Sequence, residues 1–380
     1  MPTPEEYRRI ESGPQSPQEY VWWDKYSHEN LEPWRKICDE KADTCTAKIK
    51  RGTPAQMLDE VISRASSEGG AFNAFLSHCY TVPDWVDFEE LEKGRALFRR
   101  YAGFQGIILL CSSLVEGYTL YKPSQVLIST GRLQHDVTKR IYETGQMLHN
   151  IVGDDGVRPG SVGHRTCMEV RLLHSAVRQF LWKSDKWDST VLDEPINQED
   201  MAATVLGFDF MLTRGLKKLG VELSTEEHAA MHYYWRYVGY LLGVDESLLT
   251  TTPKEQEVFA LQVTTHLYRP TEGGESLVKA LLASMSHKPP FYLSEDFLLA
   301  MAAHLGGVDL ERDFHLQYSR RSAIKVKALA QLGRLYNLGE KRLPKPVLTL
   351  YGSVLHRFRR RSIVTGLGGD DVRYAFKGIA

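Results

Sequence analysis

The sequence predicts an all-α protein built as one helical domain, and three observations carry that expectation. Apolar residues recur at helical spacing in window after window, whereas alternating, β-branched strand patterns are scarce. Turn signals such as Gly153-Asp154-Asp155-Gly156-Val157-Arg158-Pro159-Gly160 separate the helical windows by short connections. Along the 380 residues no fixed period repeats and no shift of composition marks a second unit. The boundaries expected are an N-terminal arm over 1–40, a helical domain over 41–345 and a C-terminal extension over 346–380.

Residues 1–35 are polar and proline-containing but carry Trp22, Trp23 and Trp34, which suits an arm packed on the body. Leu58 to Ser66 and Asn73 to Tyr80 read as helices. Val82-Pro83-Asp84-Trp85-Val86-Asp87 reads as a turn, and its last residue can cap a helix over Phe88 to Tyr101. Gly106 to Gly117 reads as an apolar helix whose glycines allow close approach of a neighbour or a prosthetic group. Helices over 135–152 and 165–183 flank the glycine-rich loop. Others are expected at about 198–219, 224–243, 254–267, 274–285, 294–304 and 324–336. Gly366-x-Gly368-Gly369-Asp370-Asp371 follows no strand and reads as a flexible C-terminal loop.

Composition narrows the class. Hydrophobic residues make up 42% and charged residues 25%, as in a folded protein with a large core. The 47 basic and 48 acidic residues leave a net charge of -1, with no overall footprint for nucleic acid or an anionic membrane. Arg357-Phe358-Arg359-Arg360-Arg361 is a local exception that reads as a solvated helix face. Five scattered cysteines without a CxxC pair give neither a disulfide framework nor a zinc site, and suit a reducing compartment. Met1 to Ser16 has no apolar h-region, and nothing hydrophobic follows Arg8-Arg9. The longest apolar run, Gly106 to Val115, is well short of the roughly 20 residues a membrane span needs. A cytoplasmic protein is therefore expected. GxSxG, Walker A and a GxGxxG after a strand are all absent, which removes hydrolase, P-loop and Rossmann readings.

Two helix faces carry chemistry. Cys167, Val170, His174, Val177 and Leu181 form one apolar stripe, with Arg171 and Arg178 a turn to either side of His174. An imidazole in an apolar wall with flanking guanidinium groups suits a buried planar anion with a central metal. Haem is such an anion: its iron takes the imidazole and its propionates take the arginines. The ring's other N–H should then be held by a backbone carbonyl or a carboxylate. The plain alternative is a core histidine bonded to a carbonyl. On the 135–152 helix, Arg140, Glu143, Thr144 and Met147 share a face, which lines a polar spot in a pocket or else holds a surface Arg140–Glu143 pair. His228 and His232 lie at i and i+4 after Glu226-Glu227 but make no HExxH. Packing is the expectation there, with His232 and Arg236 as pocket residues and Tyr233, Tyr234, Trp235, Tyr237 and Tyr240 as core. His149 stays unassigned.

Arg140-x-x-x-Thr144, followed thirty residues later by His174 within Val170-Arg171-Leu172-Leu173-His174-Ser175-Ala176-Val177-Arg178, resembles the latex clearing protein family of rubber oxygenases. That family also includes fungal oxygenases that cleave prenyl side chains. The resemblance extends over about residues 40–340. It includes Val82 to Asp87, Gly94-x-x-Leu97-Phe98-x-Arg100-Tyr101, Ser129-Thr130-Gly131-Arg132-Leu133 and His232-x-x-Trp235-Arg236-Tyr237-Val238-Gly239-Tyr240-Leu241-Leu242-Gly243. It implies a globin-like helical core, haem b, and oxidative cleavage of carbon–carbon double bonds by dioxygen. The proximal iron ligand falls on His174, and the distal arginine and threonine fall on Arg140 and Thr144. Rubber oxygenases carry an iron-capping lysine directly before that threonine. Glu143 stands there in this chain, so an open or water-bound distal side is expected. For the glutamate that takes an allylic proton in the family, Glu143 and Glu116 are the candidates.

The function expected is haem b-dependent oxygenation of a small terpenoid, prenylated or aromatic molecule by dioxygen, without a nucleic-acid or membrane partner. Arg140, Glu143 and Thr144 would serve the reaction, and His174, Arg171, Arg178 and Arg236 would hold the cofactor. Polyisoprene is not the substrate expected, since it is an insoluble extracellular polymer and no export signal is visible. A haem-binding gas sensor or carrier on the same core is the alternative, and a haem-free scaffold is the third reading.

Overall fold

Helix follows helix in the computed structural model, which describes residues 9, 12–130 and 137–367. No strand occurs among the described residues; Leu120 and Tyr268 form an isolated antiparallel bridge. The first half runs through α1 (Pro17–Lys25), α2 (Glu40–Thr46), α3 (Pro54–Glu68), α4 (Gly70–Tyr80), α5 (Phe88–Arg100), α6 (Ala102–Ile108), α7 (Tyr121–Ser129), α8 (Val137–Ile151) and α9 (Val162–Trp182). The second half adds α10 (Gln198–Phe208), α11 (Phe210–Lys218), α12 (Thr225–Leu241), α13 (Pro253–Leu267), α14 (Glu272–Met285), α15 (Glu295–Leu305), α16 (Arg320–Glu340) and α17 (Lys345–Gly366). The all-α expectation holds.

α9 shows why the sequence folds this way. Ser161 caps its N-terminus by accepting from the His164 N–H, and Lys183 leaves the helix at the other end. Cys167, Val170, Leu173, Val177 and Leu181 enter the main core, while Met168 and Leu172 enter a smaller core made with α2, α3 and α4. A helix apolar on two sides must be buried on both, and this one is. The preceding loop closes tightly because Gly163 has no side chain. A Cβ there would stand 2.2 Å from the Gly156 carbonyl oxygen. The hairpin of α8 and α9 is pinned further by Asn150, whose amide donates to Thr166 Oγ1 at 3.1 Å.

Several elements differ from the sequence-based expectation, each for a local reason. The helix expected over 198–219 breaks at Asp209. That carboxylate is buried, 3.0 Å from His232 Nδ1 and accepting from Gln256 Nε2 at 2.6 Å, and helical geometry is given up to aim it there. The apolar helix around Gly106 widens into a π turn at Leu109–Ser113, a distortion often found beside functional sites. The C-terminal extension contains α17, a helix of 22 residues packed on α5 and α8. Arg359 on it is not simply solvated, as it donates to Gln105 Oε1 at 2.8 Å and lies 3.1 Å from His356 Nδ1. α1, α2 and α7 were not foreseen because they are short and their apolar periodicity is weak. The Gly368-Gly369-Asp370-Asp371 loop and Gly131-Arg132-Leu133 lie outside the described residues.

Candidate active site

His174 interrupts a buried run. From Thr166 to Ser175 every residue of α9 is buried except His174, which is half-buried although the helix lies between two cores. The ring Nδ1 is buried and has no hydrogen-bond partner, so the expected carbonyl or carboxylate anchor is missing. Burial, reinforced by the Arg178 cation, lowers the imidazole pKa to about 4. The ring is neutral at pH 7, the form that ligates a metal.

The hairpin sets what lies level with it. His174 is eight residues on from Thr166, and eight residues back from Asn150 is Tyr142, between Arg140 and Thr144. Both helices rise by the same amount per residue, so these side chains stand at one height along the pair. On that face of α8, Val137, Met147, Leu148 and Ile151 are buried, while Arg140, Ile141 and Thr144 between them are only half-buried. Arg140 Nη1 is buried without a hydrogen-bond partner. The buried Tyr118 hydroxyl lies beside this guanidinium; burial raises its pKa, and the cation opposes that larger rise. Thr144 donates to the Arg140 carbonyl at 3.0 Å, and Glu143 lies 4.0 Å from Lys139. Tyr118 was missed in the sequence because no spacing rule links it to Arg140.

The flanking arginines are placed differently from the sequence-based expectation. Arg171 is buried against Asp39, with Nη2 2.8 Å from Oδ1, and its Nη1 is 2.9 Å from His78 Nδ1. Arg178 donates from Nε to Asp43 at 2.9 Å and from Nη1 to the Ile196 carbonyl at 3.1 Å. Both cations thus answer carboxylates of the N-terminal segment, more than a hundred residues away in sequence. Arg236 stacks on Trp85, with its guanidinium carbon 3.9 Å from the ring centroid, and its Nε is buried without a partner. His232 has both nitrogens engaged, by Asp209 and by the Thr250 carbonyl at 3.0 Å, which ends any metal role for the His228–His232 pair. His149 stacks on His356 with ring centroids 4.0 Å apart.

A cleft of about 2070 Å³ opens elsewhere, lined by parts of α11, α13, the 306–312 segment and the start of α16. Phe210, Arg214, Leu261, Gly307 and Val308 also border a small inner cavity that reaches Glu116, Thr119 and Leu120. Glu116 is buried, accepts from Ser112 Oγ at 2.6 Å and pairs with Arg214. It stands two residues along the chain from Tyr118, and hence near the Arg140 end of the α8 face. Among the described residues no group of three or more His, Cys, Asp or Glu side chains converges to chelate a bare metal ion.

Acid should destabilise the fold. Burial also holds His78 and His149 down to about 4, against an ordinary 6.5. Unfolding therefore lets these imidazoles and His174 bind protons that the native state excludes. Their contribution is complete above about pH 6.5 and is lost as pH falls toward 4. His266, raised by Glu199, and the carboxyls of Asp43, Glu169, Asp200 and Glu340, raised by burial, act in the opposite sense. His28, His164, His228 and His356 are also held down by burial, however, and bring the lowered imidazoles to seven. The melting temperature of the apoprotein should fall between pH 7.5 and pH 5; an unchanged value would contradict this assignment.

Residues 99–335 match the family described as ER-bound oxygenase mpaB/B'/Rubber oxygenase, catalytic domain. The match covers well over half of the chain. The chain belongs to this oxygenase family. It is 26% identical over 216 residues to the rubber oxygenase of Streptomyces sp. (strain K30), covering 56% of this chain and 53% of that relative. The chain thus matches about half the length of that curated relative. The fold is also that of the solved latex clearing protein LCP in its closed state, with a TM-score of 0.67 at 20% identity, over 86% of this chain and 91% of that one. His174, Arg140, Glu143, Thr144, Arg171, Arg178 and Arg236 all fall inside the segment matched to the oxygenase family.

Proposed function

We propose that this protein is a haem b-dependent oxygenase that uses dioxygen to oxidise a terpenoid, prenylated or aromatic small molecule, with His174 as the iron ligand. The observation that carries the reading is the neutral imidazole of His174, with a buried, unpartnered Nδ1 and level with Arg140 along the helix pair. An orphaned polar atom costs free energy when buried, and His174 Nδ1 is one that a polar prosthetic group and its surroundings would satisfy. One point counts against the fit: Arg171 and Arg178 already pair with Asp39 and Asp43, so propionates would have to compete with those carboxylates.

A bound haem would supply the redox-active iron needed to activate dioxygen. His174 would hold it and set its electronic character. Arg140 Nη1 would donate a hydrogen bond to a developing oxygen anion or to substrate, and Thr144 would add its hydroxyl by releasing the Arg140 carbonyl. A carboxylate oxygen of Glu143 or Glu116 would accept the substrate proton. The cleft lined by Arg214, a residue that also borders the small cavity at Glu116, would admit the substrate.

The test is the purified full chain. It should show a Soret band and a haem b pyridine haemochrome. The resting ferric form should be high-spin, because Glu143 replaces the lysine of rubber oxygenases. It should also consume oxygen when given a prenylated olefin. A colourless protein that does not take up added haem would remove this reading, and bound haem without oxygen uptake would favour a carrier or sensor.

A further inference from the structure

The outer faces of α16 and α17 differ from the rest of the surface. Twelve of the twenty-two exposed large apolar side chains among the described residues fall between Tyr318 and Phe358. On α16, Ile324, Leu332, Leu335 and Leu338 form one outward stripe, opposite Val326, Ala330 and Gly333, which pack inward. On α17, Val347, Leu350, Val354 and Phe358 do the same, opposite Gly352, His356 and Ile363. Exposed Leu343 joins the two stripes at the turn. Leu335 is 65% and Leu350 62% exposed, values that nothing in the protein's own packing requires. A soluble monomer rarely leaves so long an apolar stripe uncovered.

Charge says what covers it. Between Arg320 and Gly366 the sequence has twelve basic residues and one acidic residue, Glu340. Glu340 is buried and paired with Arg100, so it neutralises nothing at the surface of this segment. The whole-chain charge of -1 conceals this, because the remainder of the chain is correspondingly acidic. Arg321 and Lys325 border the α16 stripe on one side, and Lys327 and Arg334 border it on the other. Arg357 and Arg361 lie beside the α17 stripe.

We propose that the α16–α17 face docks on the surface of an anionic phospholipid bilayer. The Leu, Val and Phe stripe enters the boundary between headgroups and acyl chains, and the flanking cations meet the lipid phosphates. No described helix is long and apolar enough to cross a membrane, so the contact is with the surface. A second copy of this chain is a poorer occupant, since a two-fold interface would set the same cations against each other. A nucleic acid would satisfy the charge but would leave the aliphatic stripe without a partner. Tyr318, Arg320 and Arg334 also line the large cleft, so docking would bring its mouth close to the bilayer. The docking itself stands independently of the oxygenase reading.

The test is flotation of the full chain with phosphatidylcholine vesicles, with and without phosphatidylserine. Binding should require the anionic lipid and fall as salt rises. The Leu335→Ser/Leu350→Ser double variant replaces exposed side chains only and should keep the native melting temperature. It should bind phosphatidylserine vesicles roughly tenfold or more weakly, as expected for losing two inserted apolar side chains. Arg321→Gln/Lys325→Gln should weaken binding and flatten its salt dependence. Absence of binding to anionic vesicles would overturn the proposal, as would full binding by the serine variant. A stable dimer of the native chain that the serine variant dissolves, without vesicle binding, would assign the face to self-association instead.

Discussion

His174→Ala is expected to purify as a folded protein with only trace haem. The side chain makes no hydrogen bond through its buried Nδ1, so its loss removes no native polar contact, and α9 remains fixed by its two cores and the Ser161 cap. The wild-type cost of keeping that imidazole neutral and unpartnered should even be relieved. Far-ultraviolet circular dichroism should be unchanged, while the pyridine haemochrome signal collapses. Added imidazole should restore part of the Soret band by entering the vacated space as an external ligand. Full haem occupancy in the variant would sink the assignment, and His149, with its own buried and unpartnered Nδ1, would be the next residue to test.

Arg140→Ala and Glu143→Gln should separate an oxygenase from a carrier. Each is expected to keep haem and nearly native stability, and each to lower turnover with a prenylated substrate by roughly 10²-fold or more, the scale for removing an electrostatic donor or a general base. Arg140 is the stronger case, because its Nη1 is buried beside the Tyr118 hydroxyl and level with His174 along the helix pair. Glu116→Gln is the necessary companion to Glu143→Gln, since the proposed reaction leaves either carboxylate as the candidate base. Oxygen uptake at the native rate in both Arg140→Ala and Glu143→Gln would reduce that helix face to a structural one and favour the carrier. A loss in Glu116→Gln with a fully active Glu143→Gln would instead move the base to the small inner cavity.

The sequence by itself determined the helical class, because apolar spacing and capping residues act within one or two turns. Asp87 and the serine before Val162 cap the helices they precede, and Cys167, Val170, Val177 and Leu181 of the stripe face the main core. It also gave the order Arg140, Thr144, His174, since an antiparallel hairpin of two helices with a short glycine-bearing loop brings the thirty intervening residues back to one height. What only the tertiary structure decided was where charges find partners. Arg171 and Arg178 flank His174 on the helix, yet their long side chains reach Asp39 and Asp43, which a buried guanidinium needs more than it needs a distant ligand. Tyr118 came to Arg140, Asp209 broke a helix to meet His232, and Trp85 rose under Arg236, all by contacts between elements far apart in the chain. The α16–α17 face was hidden for a related reason. A net charge sums over the whole chain, whereas a surface patch depends on which residues of a helix turn outward, and packing on α5, α8 and α15 settles that.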